Sequence, residues 1–97
     1  MNNWHIGQSN IHGIGLFANK YLLPNTFIDI AIDNHQKITF FGSKINHSWN
    51  PSCKLVYSSF TKSYNVYSIN TMNYGDEITV DYTFTPSFIK KPLSHWT

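Results

Sequence analysis

The chain has 97 residues, room for one domain and not for two. Apolar residues make up 41% and charged residues only 12%, against a usual ~25% charged, so a buried core is expected and disorder is not. The net charge of +2 comes from seven Lys against five acids, with no Arg and no like-charge run. That balance argues against direct nucleic-acid binding.

A single cysteine, Cys53, excludes an intrachain disulfide and a cysteine-based zinc cluster, and it suits a reducing compartment. No stretch approaches the ~18 apolar residues of a membrane span, so no membrane association is expected. The opening Met1-Asn2-Asn3-Trp4-His5 lacks the basic and apolar regions of a signal peptide. An intracellular, non-secreted protein is expected.

Taken in chain order, the elements are mostly β. Phe27–Ile32 alternates and is rich in Ile. Lys37–Phe41 is a second β-like run, closed by Gly42. Leu55–Phe60 and Tyr64–Ile69 are two more, with Thr61-Lys62-Ser63 as a hairpin connection. Glu77–Tyr82 alternates after the Gly75-Asp76 turn, and Pro24, Pro51, Pro86 and Pro92 punctuate loops. No stretch holds a 3.6-residue period for three turns, so at most one or two helical turns are expected. The tail from Thr83 to Thr97 mixes Pro, Lys and aromatics and is expected to pack over the body.

Three segments stand out. Gly13-Ile14-Gly15, followed by Leu16-Phe17-Ala18, is either a turn between strands or a place where a ligand approaches backbone that lacks a Cβ. Asn46-His47-Ser48-Trp49-Asn50-Pro51 is either an Asn/Pro loop or a set of backbone groups held for hydrogen bonding. Gly75-Asp76-Glu77-Ile78-Thr79-Val80-Asp81-Tyr82 reads by itself as a turn feeding a strand.

In this order and wording the three segments resemble the SET-domain protein-lysine N-methyltransferases, most of all the minimal viral-type members. The resemblance runs from about residue 5 to residue 84, with 85–97 as a C-terminal tail of a single SET domain spanning 1–97. It implies a mostly β, β-clip fold of short twisted sheets with little helix, threaded into a pseudoknot. It implies S-adenosylmethionine as cofactor and a lysine-containing peptide, such as a basic histone tail, as substrate. Carried over by position, Gly13, Ile14 and Gly15 line the methionine end of the cofactor, and Asn46 and His47 hold its adenine and amino-acid ends. Tyr82 matches the catalytic tyrosine and adjoins the cofactor. Trp49 and Pro51 shape the crossing, and Phe84 or Trp96 is the candidate to stack on adenine. No metal is implied, and His5, His12, His35 and His95 show no ligand spacing with one another or with Cys53.

The pattern is also broken in places. Only about Asp33 to Lys44 is available for the insert that usually walls the peptide groove. Ser52 replaces a common Asn, and Asp76 replaces Glu. Val80 stands where many members place a Tyr or Phe that limits the number of methyls added, with Tyr57 and Tyr67 as candidate substitutes. No cysteine-rich lid follows the last motif. These departures leave a second expectation open, a non-catalytic binding module on the same fold. Few charges and 16% aromatics also predict a homodimer. A nuclear location follows only if the substrate is chromatin.

Overall fold

Alternation of Ile, Val and Tyr with polar residues favours extended backbone, and the two-residue period decides which side chains each strand buries. The computed structural model describes residues 2–86 and 88–94, and of Phe84 the backbone only. In chain order these residues form β1 (Trp4–Gln8), β2 (Ile14–Ala18), β3 (Phe27–Ile32), α1 (Phe40–Ser43), β4 (Asn46–His47), β5 (Cys53–Ser58), β6 (Ser63–Ser68) and β7 (Glu77–Val80). A 3-10 turn, Tyr82–Phe84, follows. The fold is mostly strand in small sheets with little helix, as expected of a β-clip domain.

The strands make two sheets. One has the order β1-β2-β7-β4, the other β3-β6-β5. β2 pairs antiparallel with β7, Leu16 opposite Ile78, whereas β4 lies parallel to β7, with Asn46 opposite Thr79 and His47 opposite Val80. Leu16, Ile78, Val66 and Cys53 are fully buried in one apolar cluster that spans both sheets. Trp4 closes its edge. Its ring lies 5.2 Å from that of Phe41, and its indole N–H donates to Asp29 at 2.8 Å.

One expectation about an element needs correcting. Lys37–Phe41 is not a strand. Only Ile38 makes a single bridge, to Ile32, and the chain then turns into α1. Thr39 caps that turn. Its hydroxyl accepts from the Gly42 N–H at 2.9 Å and donates to the Ile30 carbonyl at 2.6 Å. This puts Phe41 into the core and leaves Phe40 exposed. A Cβ on Gly42 would stand 2.1 Å from the Ala31 carbonyl oxygen, so only glycine allows the turn to sit this close to β3. The Gly13-Ile14-Gly15 segment, which reads in sequence as a turn between strands or a place of ligand approach, runs from the turn of the β1–β2 hairpin into β2. Gly13, at φ +48°, closes that hairpin, and the Ser9 N–H donates to its carbonyl at 2.8 Å.

The other strands stand where alternation put them, with shifted ends. β5 starts at Cys53 and stops at Ser58, because Lys62, at φ +56°, turns the chain back and its N–H donates to the Ser58 carbonyl at 2.7 Å. β7 stops at Val80, because Asp81 caps the 3-10 turn by accepting from the Thr83 N–H at 2.9 Å. From the tail, Thr85 and Ile89 come over the body and line a cavity there, and the Lys91 ammonium donates to the Thr85 carbonyl.

Candidate active site

The sheet order brings the three singled-out segments onto three adjacent strands. The glycine segment is β2, the last motif is β7, and Asn46-His47 is β4, so β7 lies between the other two. The period of two then splits their side chains between two faces. Leu16, Ile78, Val80 and His47 are buried. On the other face Gly15, Asn46 and Glu77 meet.

The meeting point is the Glu77 carboxylate. The Ser9 hydroxyl lies 2.9 Å from each of its oxygens, and the Asn46 amide donates to one of them at 2.9 Å. The same amide nitrogen lies 3.1 Å from the His12 carbonyl and 3.3 Å from that of Ile14. Ser9 in turn accepts from the Ile11 N–H at 2.9 Å.

The two glycines therefore have different reasons. A Cβ on Gly15 would fall 2.6 Å from the Glu77 carboxylate and 3.1 Å from the Asn46 amide, so protein fills that space. A Cβ on Gly13 would meet nothing within 4 Å. Of the pair, Gly13 is the one whose open side suits a close ligand.

The second segment stays with β7 beyond β4. The Ser48 N–H donates to the Val80 carbonyl at 3.1 Å. Past Pro51 the chain returns to the strand. The Ser52 hydroxyl donates to the Glu77 carbonyl at 2.7 Å and accepts from the Thr79 N–H at 3.0 Å, and the Ser52 N–H donates to the Thr79 hydroxyl at 3.0 Å. Ser52, a departure from the family pattern, is thus a three-bond clamp. Trp49 stands edge-on to His47 with centroids 4.5 Å apart, and its outer part is exposed.

Tyr82 sits where the buried face ends. Its N–H donates to Nδ1 of His47 at 3.0 Å, which puts the imidazole proton on Nε2. Its hydroxyl donates to the Ile45 carbonyl. Burial pushes the phenol above its ordinary value, so it stays a donor across the neutral range. Asp81 beside it is held below the usual carboxylate range. Burial opposes that shift, but the Thr83 N–H and hydroxyl outweigh it.

A cavity of about 150 Å³ opens beside Tyr82, walled mainly by apolar residues that include Ile45, Leu55, Val80 and Ile89. A second cleft, of about 460 Å³, adjoins it through Ile32 and is lined by Asp33, Tyr57, Tyr64 and Phe88 among others. Tyr57 and Tyr64 pack with centroids 5.0 Å apart. Asp33 is held below the usual range by accepting from the backbone N–H groups of Lys37 and His35.

The SET-domain family model matches residues 29–83, more than half of the chain. The chain belongs to the SET-domain family. A solved structure from Plasmodium falciparum, titled as a candidate histone methyltransferase, has the same fold. It is 21% identical, with a TM-score of 0.70, and the match covers 88% of this chain and 96% of that one. Among curated proteins, none matches the chain.

Membership in the family supports lysine methyltransfer in general terms. Among the described residues no group of three or more His, Cys, Asp or Glu converges as a metal site. No helix among the described residues is long and apolar enough to cross a membrane. Of the sequence candidates, Gly13, Ile14, Gly15, Asn46, His47 and Tyr82 all lie on or beside the β2-β7-β4 strands. Trp96 and His95 lie outside the described residues, as does the side chain of Phe84. The sequence gives no special place to Ser9 and shows Glu77 only as part of a turn feeding a strand. Neither carries a local signal of its partners, because 68 positions separate them.

Proposed function

We propose that this SET domain is an S-adenosylmethionine-dependent protein-lysine N-methyltransferase acting on a basic, histone-tail-like peptide. One observation carries the reading. The Tyr82 hydroxyl and the Ile45 carbonyl sit together at the wall of a small apolar cavity, one strand away from a glycine turn with an open side.

The residues present fit the cofactor. Gly13 gives close access to backbone. The Asn46 amide nitrogen faces the β1–β2 turn, so its carbonyl oxygen points away from these acceptors and takes no hydrogen bond among the described residues. Such an oxygen suits an ammonium group. Gly13, Ile14, Gly15, Asn46 and His47 would hold S-adenosylmethionine, and Tyr82 would adjoin it. When bound, the cofactor supplies a methyl group activated on a cationic sulfur. The clamp of the second motif around β7 supports the expected pseudoknot.

The chain's own residues prepare the amine. A lysine in water has a pKa near 10.4 and arrives protonated. Apolar walls such as Leu55, Val80 and Ile89 disfavour its charge and help release the proton. Tyr82 is not the base, since burial keeps its phenol protonated. It and the Ile45 carbonyl orient the amine, a positioning role that needs no formal charge. The adjoining cleft, with Asp33, Tyr57 and Phe88 among its walls, suits residues that flank a lysine in a basic peptide.

The test is calorimetry with S-adenosylmethionine and S-adenosylhomocysteine, followed by transfer of labelled methyl to lysine peptides. One-to-one binding with transfer is expected. Binding without transfer to any peptide would favour the non-catalytic module, and a folded protein that binds neither compound would end the cofactor reading.

A further inference from the structure

We infer that Glu77 is a positioning residue for the cofactor: its carboxylate joins the Ser9 turn to the Asn46 amide and so sets both Gly13 and Asn46 for binding. The inference rests on the cofactor reading above and adds a residue which that reading does not use.

Glu77 is a hub between separate parts of the chain. Ser9 is 68 positions away and Asn46 is 31. On one side the carboxylate fixes the Ser9 hydroxyl, which then accepts from the N–H of Ile11 and, at 3.4 Å, from that of His12. Those bonds shape the turn that places Gly13 at φ +48°. On the other side the carboxylate fixes which way the Asn46 amide points. An asparagine amide can flip its oxygen and nitrogen at little intrinsic cost, so its neighbours decide the direction. Here one carboxylate oxygen and two carbonyls attract the nitrogen, and the amide oxygen is turned to the opposite side.

Replacing the carboxylate by an amide removes its charge and one of its two acceptor oxygens. Glu77→Gln keeps the shape but offers one acceptor oxygen and one NH₂ group. Facing Asn46, that NH₂ opposes another NH₂; facing Ser9, it becomes a donor to the hydroxyl oxygen, where the carboxylate had been an acceptor. The Asn46 orientation then rests more heavily on the His12 and Ile14 carbonyls. Ser9→Ala breaks the other arm of the same device.

The full chain tests this with S-adenosylhomocysteine as the calorimetric probe, on the wild type, Glu77→Gln, Ser9→Ala and the double variant. Each single variant is expected to raise Kd about tenfold, as for loss of a charge-assisted hydrogen bond, and the double variant to be far from additive. At saturating cofactor kcat stays near that of the wild type while KM for the cofactor rises, a split that a general loss of folding would not give. The Asn46 side-chain amide signals should also shift in both single variants before any ligand is added. If Glu77→Gln does not fold, Ser9→Ala carries the test alone. Wild-type Kd and amide signals in the folded variants would overturn the positioning role and leave the cofactor reading intact. Failure of the wild type itself to bind would remove both.

Discussion

The Tyr82 backbone N–H donates to Nδ1 of His47 across 3.0 Å and 35 positions of sequence. This bond joins the end of the last motif to the parallel strand β4, and the two rings meet edge-on with centroids 5.4 Å apart. His47 is 5% exposed, so water cannot replace the acceptor. His47→Phe keeps an aromatic ring and removes the nitrogen. It is expected to destabilise the fold by about 1–3 kcal/mol, the cost of leaving a buried donor unmet. Urea unfolding measures it, and an unchanged midpoint would show that the bond does not hold the crossing.

Tyr82→Phe separates chemistry from folding. The ring and the backbone bond to His47 remain, and the hydroxyl bond to Ile45 is lost. Stability should fall by about 1 kcal/mol. Binding of S-adenosylhomocysteine should stay near wild type. Single-turnover methyl transfer should slow by about a hundredfold or more, as when a group that orients the reactants is removed from a reacting centre. Equal turnover would remove Tyr82 from the catalytic role.

Two weak acids, the buried Cys53 and the half-buried Tyr82, set an alkaline limit. Burial pushes the Cys53 thiol from 9.0 up to about 11, and burial also raises Tyr82. Raised values favour the protonated forms in the folded state. Their contribution is fully present below pH 9 and is lost as pH climbs through the folded values. For Cys53 the loss is roughly 2–3 kcal/mol. Unfolding midpoints in urea should therefore drop between about pH 9 and 11, and Cys53→Ala should flatten that drop. A Cys53→Ala profile parallel to wild type would refute the assignment.

What was legible in the sequence was local. Alternation placed β3, β5, β6 and β7 because their side chains segregate between faces within the strand itself. Lys37–Phe41 misled for the same reason, since its β-like residues are outvoted by the Thr39 cap and by close packing of Gly42 on Ala31. Thr39, three residues before a glycine at the start of the turn, is the cap signal that was there to be read. The glycine pair was visible, but its two reasons were not. Only the folded arrangement shows that Glu77 fills the space at Gly15 and that Gly13 stays open. Contacts over 31 to 68 positions leave no periodic trace.

The glycines give a matched pair of tests. Gly42→Ala drives a Cβ into the Ala31 carbonyl, with contacts of 2.1 Å to oxygen and 2.8 Å to carbon. Backbone must move, and a loss of about 3 kcal/mol or more is expected. Gly13→Ala meets no atoms, and its positive φ costs only about 1–2 kcal/mol. Its larger effect should be on S-adenosylhomocysteine affinity, because the added methyl occupies the open side of the turn. Calorimetry on folded protein separates the two. Gly13→Ala binding as tightly as wild type would move the cofactor away from this turn.

Val80 sets the size of the cavity beside Tyr82. It is 3% exposed, lies on β7 two residues before the tyrosine, and shares the wall with Ile45 and Leu55. With a side chain this small, a lysine that already carries a methyl group still fits against Tyr82, so the wild type is expected to add more than one methyl. Val80→Phe puts a ring into a space of about 150 Å³. Overpacking should cost about 1–3 kcal/mol. The first transfer should survive, since an unmodified amine needs the least room, and later transfers should stop. Mass spectrometry of a lysine peptide over a time course reads this directly. A wild type that halts at one methyl, or a Val80→Phe variant with the wild-type product pattern, would show that another side chain sets the limit, with Tyr57, a wall of the adjoining cleft, the next to test.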